Sequence, residues 1–159
     1  MKTILILEDN KRNMEMLVKI IRDLGDDIVI KKASRLAEAG SLLMKYSFDL
    51  FMLDIILNPA NPSDVSGMKF AEHIRTCSKY KYTPIIFITA LEDPALHAYS
   101  ELHCYYYVEK PYNVKKVSSV ILEALDFPKA AEETRSIFFR KDGVLYKKHI
   151  EDIIYIENS

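Results

Sequence analysis

The chain has 159 residues and a mass of 18.4 kDa, which suffices for one full domain and is too short for a multidomain enzyme. Hydrophobic residues make up 49% of it, so we expect a buried core and exclude intrinsic disorder. Its 22 basic and 23 acidic side chains give a formal charge of -1, so the overall charge does not indicate a polyanionic partner.

Cysteine usage and the length of the apolar segments indicate the compartment. Cys77 and Cys104 have no CxxC partner and no accompanying histidine cluster, which argues against a disulfide framework or a structural zinc site. The first apolar run is too short for a signal peptide, and no segment approaches the roughly 18–20 consecutive apolar residues of a membrane helix. We therefore expect a soluble, cytoplasmic protein with no membrane partner.

The first half of the chain predicts strands and helices in alternation. Thr3–Leu7 and Phe48–Leu53 are apolar nearly throughout, which is typical of strands covered on both faces, and a shorter strand is expected at Asp27–Lys31. Two amphipathic helices separate these strands, with apolar residues spaced along one face. Those residues are Leu17, Ile20, Ile21 and Leu24 in the first helix, and Leu36, Ala39, Leu42, Leu43 and Tyr46 in the second.

The alternation continues to about Leu125. Two further strands are expected at Pro84–Ile88 and Tyr105–Val108, and a short helix after Pro94. Two longer helices carry their apolar residues at Phe70, Ile74 and Cys77, and at Val117, Val120, Ile121, Ala124 and Leu125. Five strands alternating with five helices predict an α/β fold with a doubly wound, mostly parallel sheet and helices on both faces.

The chain changes character after Pro128. The β-type segments Ile137–Lys141 and Val144–Lys147 flank Asp142-Gly143, a two-residue hairpin signal, and a third β-type run follows at Ile153–Ile156. A hairpin without the rest of its domain should pair with another strand, for example in a second molecule.

These changes define the expected domain boundaries. Residues 1–127 form the α/β domain, and residues 128–135 form a short polar linker. Residues 136–159 number only 24, and segments below about 40 residues rarely fold alone. We interpret them as the opening of a second domain that is cut off.

Polar side chains follow four of the predicted strands at their carboxyl ends. Glu8-Asp9 follows the first strand, Asp54 the third, Thr89 the fourth and Lys110 the fifth. If the first strand is central, all of them converge on one pocket, because ligands in such sheets bind beyond the carboxyl ends of the strands. Taken alone, each has a simpler explanation: Glu8-Asp9 and Thr89 as helix caps, Lys110 as part of a surface turn.

The combination predicts a Mg²⁺ site and a phosphoryl acceptor. Three neighbouring carboxylates repel one another unless a cation lies among them, and an all-oxygen site favours Mg²⁺. A carboxylate beside Mg²⁺ and an ammonium group can attack a phosphoryl group, because the cations neutralise its oxygens. Asp54 is the expected nucleophile, since it stands alone after a buried strand, with Lys110 and Thr89 contacting the phosphoryl oxygens.

This pattern resembles the receiver domain of two-component response regulators over about residues 2–126. The resemblance rests on several segments in the order of that family and, except for one loop, at its spacing. They are Ile4-Leu5-Ile6-Leu7-Glu8-Asp9-Asn10, Leu53-Asp54, Gly67 before a helix with Ala71 and Ile74-Arg75, Ile88-Thr89-Ala90, and Tyr107-Val108-Glu109-Lys110-Pro111-Tyr112.

The resemblance implies a flavodoxin-like fold with strand order 2-1-3-4-5 and a phosphoryl-accepting signalling module more than an enzyme. It implies that a histidine kinase phosphorylates Asp54, and that Glu8, Asp9, Asp54 and the backbone carbonyl of Ile56 hold Mg²⁺. The implied phosphate contacts are Thr89 and Lys110, the switch pair is Thr89 with Tyr107, and Pro111 makes the turn after the lysine. The implied output surface, also an expected homodimer contact, combines the fourth helix, fifth strand and fifth helix.

One loop departs from the family pattern. Receivers usually have a glycine about eight residues after the phosphoacceptor, and here Gly67 comes thirteen residues after Asp54. The extra segment, Asn58-Pro59-Ala60-Asn61-Pro62-Ser63-Asp64, borders the expected pocket. It alters kinase docking, shields the acyl phosphate from water, or does neither. Asp64 is a weaker candidate metal ligand, because aspartate is also common in turns.

The tail resembles the start of a LytTR-type DNA-binding domain, of the LytR and AlgR kind, through Asp152-Ile153-Ile154-Tyr155-Ile156-Glu157. Residues 129–159 carry six basic and six acidic side chains, so DNA contact is expected only from an output domain beyond them. The tail is a second candidate surface for a homodimer.

Two alternatives stay open at this point. A degenerate receiver would use the fold for protein binding without phosphorylation; the intact set of acids, threonine and lysine opposes this, and the long loop favours it weakly. A flavodoxin-like small-molecule binder would need a phosphate-cradling, glycine-containing loop after the first strand, and Glu8-Asp9-Asn10-Lys11 has no glycine.

Overall fold

The computed structural model describes residues 1–61, 63–90, 106–126, 136–141 and 144–149. Seven strands and four α-helices lie in these ranges. The strands are β1 (Lys2–Leu7), β2 (Ile28–Ala33), β3 (Leu50–Leu53), β4 (Ile85–Thr89), β5 (Tyr106–Glu109), β6 (Ser136–Lys141) and β7 (Val144–His149). The helices are α1 (Lys11–Arg22), α2 (Leu36–Lys45), α3 (Ser66–Thr76) and α4 (Val114–Leu125), with a short 3₁₀ helix at Ser78–Tyr80.

The predicted doubly wound sheet is confirmed. The first five strands are parallel and lie in the order β2-β1-β3-β4-β5. Side chains alternate between the two faces of each strand. Leu5 and Leu7 of β1 therefore join α2 and α3 in one core cluster, whereas Ile4 and Ile6 join α1 and α4 in the other. Helices thus cover both faces of the sheet, as the continuous apolar strands predicted.

Two helices begin at asparagine caps. The Asn10 side chain accepts a hydrogen bond from the backbone N–H of Asn13 at the start of α1, and Asn113 does the same for Lys116 at the start of α4. Such caps satisfy backbone donors that the helix leaves unpaired. Both helices consequently begin immediately beyond the strand ends that carry the predicted site.

The third strand is shorter than predicted. The sequence predicted that this strand begins at Phe48, but β3 begins at Leu50. The reason is that Asp49 bonds to Thr3 of β1 partly through its side chain: the Asp49 N–H donates to the Thr3 carbonyl, and the Asp49 carboxylate accepts the Thr3 N–H, each at 2.8 Å. Phe48 nevertheless lies in the core, at 1% exposure.

The predicted hairpin of the tail is confirmed, but its partner was not predicted. Strands β6 and β7 pair in antiparallel fashion, and β7 also pairs with β5 of the same chain. In that register Tyr107 lies opposite Leu145, and Val108 lies opposite Val144. The edge of β5 would otherwise present unpaired N–H and C=O groups, which a strand with its own free edge can satisfy.

The expected helix after Pro94, the β-type run Ile153–Ile156 and Cys104 lie outside the described residues. Within the described part of the chain, none of the helices has the length and apolar character needed to cross a bilayer.

Candidate functional site

The carboxyl ends of the parallel strands bring the predicted polar residues together. The ladder hydrogen bonds extend one residue past the strands: Glu8 N–H donates to the Ala33 carbonyl at 3.0 Å, and Asp54 N–H donates to the Leu7 carbonyl at 2.9 Å. In the same way, Lys110 N–H donates to the carbonyl of Thr89 at 2.9 Å. The backbone at these positions is therefore fixed by the sheet.

Lys110 connects the two buried acids of the site. Its Nζ lies 2.8 Å from Glu8 Oε2 and 2.8 Å from Asp54 Oδ2. Glu8 is 2% exposed and Asp54 is 6% exposed, so neither carboxylate is well hydrated. The second oxygen of Asp54, Oδ1, accepts the N–H of Ile56 at 3.1 Å. One ammonium group thus serves two negative charges at the base of the site.

The pKa values of Glu8 and Lys110 depend on burial and on the contacts between these charged groups. Burial raises the pKa of Glu8 to about 7; the Lys110 hydrogen bond opposes this rise, and the charge of Asp54 adds to it. Burial lowers the pKa of the Lys110 ammonium, but its hydrogen bonds to Asp54 and Glu8 outweigh that effect and leave the pKa above its ordinary value. Lys110 therefore stays charged.

The acidic cluster fits a hard divalent cation. Oxygens of Glu8, Asp9 and Asp54 lie within 4.8 Å of one another, so a single ion can reach all three. The one ammonium group contacts two of these three carboxylates, Glu8 and Asp54, which are both buried, so the site keeps excess negative charge. Carboxylate oxygens are the ligands that Mg²⁺ prefers, and an added cation would relieve the repulsion from Asp54, which adds to the rise that burial causes in the Glu8 pKa.

These groups open into one cleft of about 540 Å³. It contains six of the predicted site residues: Glu8, Asp9, Asp54, Ile56, Thr89 and Lys110. Four further lining residues were not among the predicted site residues: Asn10, Asn13, Pro59 and Ala90. The signal for the two asparagines is their position at the start of the helix after β1, where Asn10 is the N-cap and Asn13 lies in the first turn. For Pro59, the sequence indicated only that the loop containing it borders the pocket.

The two other predicted positions, Tyr107 and Pro111, do not line the cleft. Tyr107 is fully buried in the core cluster that contains Phe87, and neighbouring Tyr106 belongs to the opposite cluster, because side chains alternate along a strand. The hydroxyl of Tyr106 donates to Glu123 on α4. Pro111 is exposed and follows Lys110 through a cis peptide bond.

Gly67 lies against the backbone of the central acid. A Cβ atom at this position would come within 1.7 Å of the carbonyl oxygen of Asp54 and 2.8 Å of the Cα of Ile55. The Gly67 N–H also donates to the carbonyl of Ile55 at 3.0 Å. The first turn of α3 can approach the Asp54 segment this closely only because residue 67 has no side chain.

Asp64 has a structural role and lies outside the acidic cluster. Its Oδ2 accepts the N–H groups of Leu57 and Asn58, both at 2.8 Å. Its Oδ1 accepts the N–H and the hydroxyl of Ser66 at 3.1 and 2.7 Å. Burial raises the pKa of Asp64, but these hydrogen bonds outweigh it and hold the pKa below its ordinary value. Both oxygens are engaged by the loop, so the weaker suggestion of a metal ligand is wrong.

A buried aspartate after β3, beside a lysine and two more acids in a sheet ordered β2-β1-β3-β4-β5, defines the receiver class of signalling domains. The chain belongs to the family described as "Response regulator receiver domain", whose sequence profile matches residues 4–122.

Individual proteins support this assignment. The chain is 31% identical over 122 residues to the sensory transduction protein LytR of Staphylococcus haemolyticus, covering 76% of this chain and 44% of that protein. It is 33% identical over 86 residues to "Probable transcriptional regulator ycf29" of Porphyra purpurea, covering 53% of this chain and 38% of that protein. The chain therefore spans less than half the length of these two relatives.

A solved structure shows the same fold. The signal receiver domain of a DNA-binding response regulator from Colwellia psychrerythraea 34H superposes with a TM-score of 0.69 at 26% identity, covering 80% of this chain and 100% of that one. The chain is thus a receiver domain of a two-component response regulator, and the family binds a divalent cation in an acidic pocket of this kind.

Proposed function

We propose that Asp54 is the phosphoacceptor of this receiver and that a histidine kinase supplies the phosphoryl group. The observation that carries the proposal is the position of Asp54: a buried carboxylate at the base of an open cleft, 2.8 Å from the Lys110 ammonium. An Asp54 oxygen forms the new bond to phosphorus, while the bond from phosphorus to the donor breaks and the donor keeps its electron pair. The product is an acyl phosphate.

The other residues of the cleft have supporting roles in this scheme. The carboxylates of Glu8, Asp9 and Asp54, with the backbone carbonyl of Ile56, hold Mg²⁺, which when bound neutralises charge on the phosphoryl oxygens. Lys110 pairs with a phosphoryl oxygen, and the Thr89 hydroxyl donates a hydrogen bond to another. Both residues lie at the ends of adjacent parallel strands, so the sheet fixes their backbone before the donor arrives.

Thr89 and Tyr107 form the switch in the same proposal. When the Thr89 hydroxyl turns toward the phosphoryl group, the packing around buried Tyr107 changes, and with it the surface near β5 and α4. The buried position of Tyr107 in the strand next to β4 supports this pairing.

The output of the switch is proposed to be a LytTR-type DNA-binding domain, of which residues 136–159 form the beginning. The match to LytR supports this subfamily, and residues 128–135 would then be the linker. DNA is bound only through that output domain. A homodimer would use the surface around β5 and the last helix; a dimer through the tail would use the β6 edge or displace β7 from β5.

The first test is intact-mass spectrometry of the protein after incubation with a small acyl-phosphate donor, with and without Mg²⁺. We expect one phosphoryl adduct that requires Mg²⁺ and is absent from Asp54→Asn. Asp49→Asn is the matched control, because Asp49 precedes the same strand but lies outside the cleft. A folded wild type that gives no adduct, under conditions that label a known receiver, would instead favour the degenerate protein-binding receiver.

The second test measures the cation site by thermal unfolding. At about 100 times its Kd, Mg²⁺ should stabilise the fold by about 2.7 kcal/mol, which raises the Tm by roughly 5–10 °C. Asp9→Asn should lose most of this rise, whereas Asp26→Asn, an exposed residue in the turn before β2, should keep it. An equal rise in both variants would contradict the proposed ligand set.

The Mg²⁺ effect should also depend on pH. Glu8, with a pKa of about 7, faces Asp9, Asp54 and Lys110, and it must be ionised to bind a cation. Below pH 7 the cation must displace a proton from Glu8, so Mg²⁺ should raise the Tm less at pH 6 than at pH 8. Glu8→Gln should remove this difference between the two pH values.

A further inference from the structure

The long loop between β3 and α3 is held in one shape by its own side chains. We define it as residues 57–61 and 63–65. The Asp64 carboxylate joins its two ends, because one oxygen accepts the N–H groups of Leu57 and Asn58 while the other binds Ser66 at the start of α3. These four hydrogen bonds hold the two ends of the loop together strongly, because hydrogen bonds to a charged group are stronger than those between neutral groups.

The middle of the long loop is also hydrogen-bonded. The Asn58 side chain accepts the N–H of Ala60 at 3.2 Å, and the Asn61 side chain accepts the N–H of Ser63 at 3.1 Å. Backbone bonds from Asn61 N–H to the Asn58 carbonyl and from Asp64 N–H to the Asn61 carbonyl, both at 3.0 Å, complete successive turns. Hydrogen bonds therefore tie the described residues of the long loop to one another.

The long loop places Pro59 in the wall of the phosphoacceptor cleft. Pro59 is exposed to solvent, yet it lines the same cleft as Asp54 and Ile56, so it lies at the rim of that cleft. Ala60, the next residue, is exposed as well but does not line the cleft. The pyrrolidine ring offers no donor or acceptor to an incoming water molecule.

We propose that the long loop, closed by Asp64, makes Pro59 a fixed apolar rim that restricts water and so lengthens the lifetime of the acyl phosphate on Asp54. The inference rests on the proposed phosphorylation of Asp54. In hydrolysis, the water oxygen forms a bond to phosphorus and the bond from phosphorus to the Asp54 oxygen breaks. The electron pair of that bond stays on the Asp54 carboxylate, and the water proton leaves with the phosphate or to solvent.

The rim affects hydrolysis by limiting how a water molecule reaches the phosphorus atom and how it is oriented there. An attacking water must approach phosphorus from the open side of the cleft and be held there by hydrogen bonds. An apolar ring in a closed loop neither holds such a water nor moves aside for it. Pro59 and Asp64 are accordingly positioning residues, which act on the lifetime of the product without contacting the reacting atoms.

The test measures the half-life of the phosphorylated full chain by intact mass after the small donor is removed, in constant Mg²⁺. Pro59→Gly and Asp64→Asn should shorten the half-life roughly three- to tenfold. A tenfold change corresponds to an activation free energy of hydrolysis that is lower by about 1.4 kcal/mol. Asparagine keeps the shape of Asp64 but offers one acceptor oxygen in place of two. Ala60→Gly is the matched control and should keep the wild-type half-life, because residue 60 lies outside the cleft.

Each outcome separates this inference from the proposed function. Adducts that form in every variant and decay at the wild-type rate would overturn the inference and leave Asp54 as the phosphoacceptor. Equal shortening in Ala60→Gly and Pro59→Gly would assign the effect to loop flexibility and overturn the role of Pro59. A wild type that never forms an adduct would remove the proposed function and this inference together. Decay is measured well below the Tm of every variant, so that unfolding does not contribute.

Discussion

Replacement of Gly67 by alanine should destabilise the fold by about 3 kcal/mol or more, which is at the upper end of what an added methyl group costs in a packed site. The reason is that the new Cβ would lie 1.7 Å from the Asp54 carbonyl oxygen, a backbone atom that cannot rotate away. Either α3 or the segment after β3 must move. Chemical denaturation of the purified variant would measure the loss.

Gly40→Ala is the control for this prediction. Gly40 lies within α2, and a Cβ there would meet nothing within 4 Å. Alanine favours the helix and restricts the unfolded chain, so this variant should gain about 0.4–1 kcal/mol of stability. Opposite signs at the two glycines would establish that the close approach of α3 to Asp54 is responsible. A similar small effect at both would contradict it.

The Gly67 contact also connects stability with function. The carbonyl that the new Cβ would displace belongs to Asp54, whose side chain is the proposed phosphoacceptor. A shift of this carbonyl would therefore also move the Asp54 carboxylate. We therefore expect Gly67→Ala to lose adduct formation even at temperatures where it is folded. The extra residues of the long loop lie between Asp54 and Gly67 in the sequence. The loop can therefore be longer without changing the contact between α3 and Asp54.

Much of the site could be predicted because it depends on strand ends. Glu8, Asp54, Thr89 and Lys110 each end or follow an apolar run, and parallel strands bring their carboxyl ends to one edge. Strand alternation likewise places Tyr106 and Tyr107 on opposite faces once β5 is identified. The order of the strands required the family resemblance, since the apolar pattern is the same for any order of buried strands.

Other features depend on contacts between distant parts of the chain. The hairpin pattern predicts that β6 pairs with β7, but an edge strand can pair with any free edge, so the choice of β5 is visible only in the fold. Asp64 as a loop closure and Pro59 as a rim depend on how the long loop folds back, and aspartate and proline are common in every kind of loop.

Lys110→Met should reduce the rate of adduct formation by about 100-fold, comparable to the loss of one preorganised donor to a developing negative charge. Lys110 is the cation that bridges Glu8 and Asp54, so methionine keeps the length of the side chain and removes the charge. The two buried carboxylates would then repel without compensation, and Mg²⁺ should raise the Tm of this variant more than that of the wild type.

Lys115→Met provides the matched comparison, because Lys115 is an exposed lysine on α4 with no place in the cleft. It should form the adduct at the wild-type rate. Lys110→Arg separates charge from shape: arginine restores the positive charge but presents it in a planar fork, so it should recover the Tm in the absence of Mg²⁺ more fully than the rate. A Lys110→Met protein that is phosphorylated as fast as the wild type would show that the ammonium balances the buried acids and takes no part in the transfer.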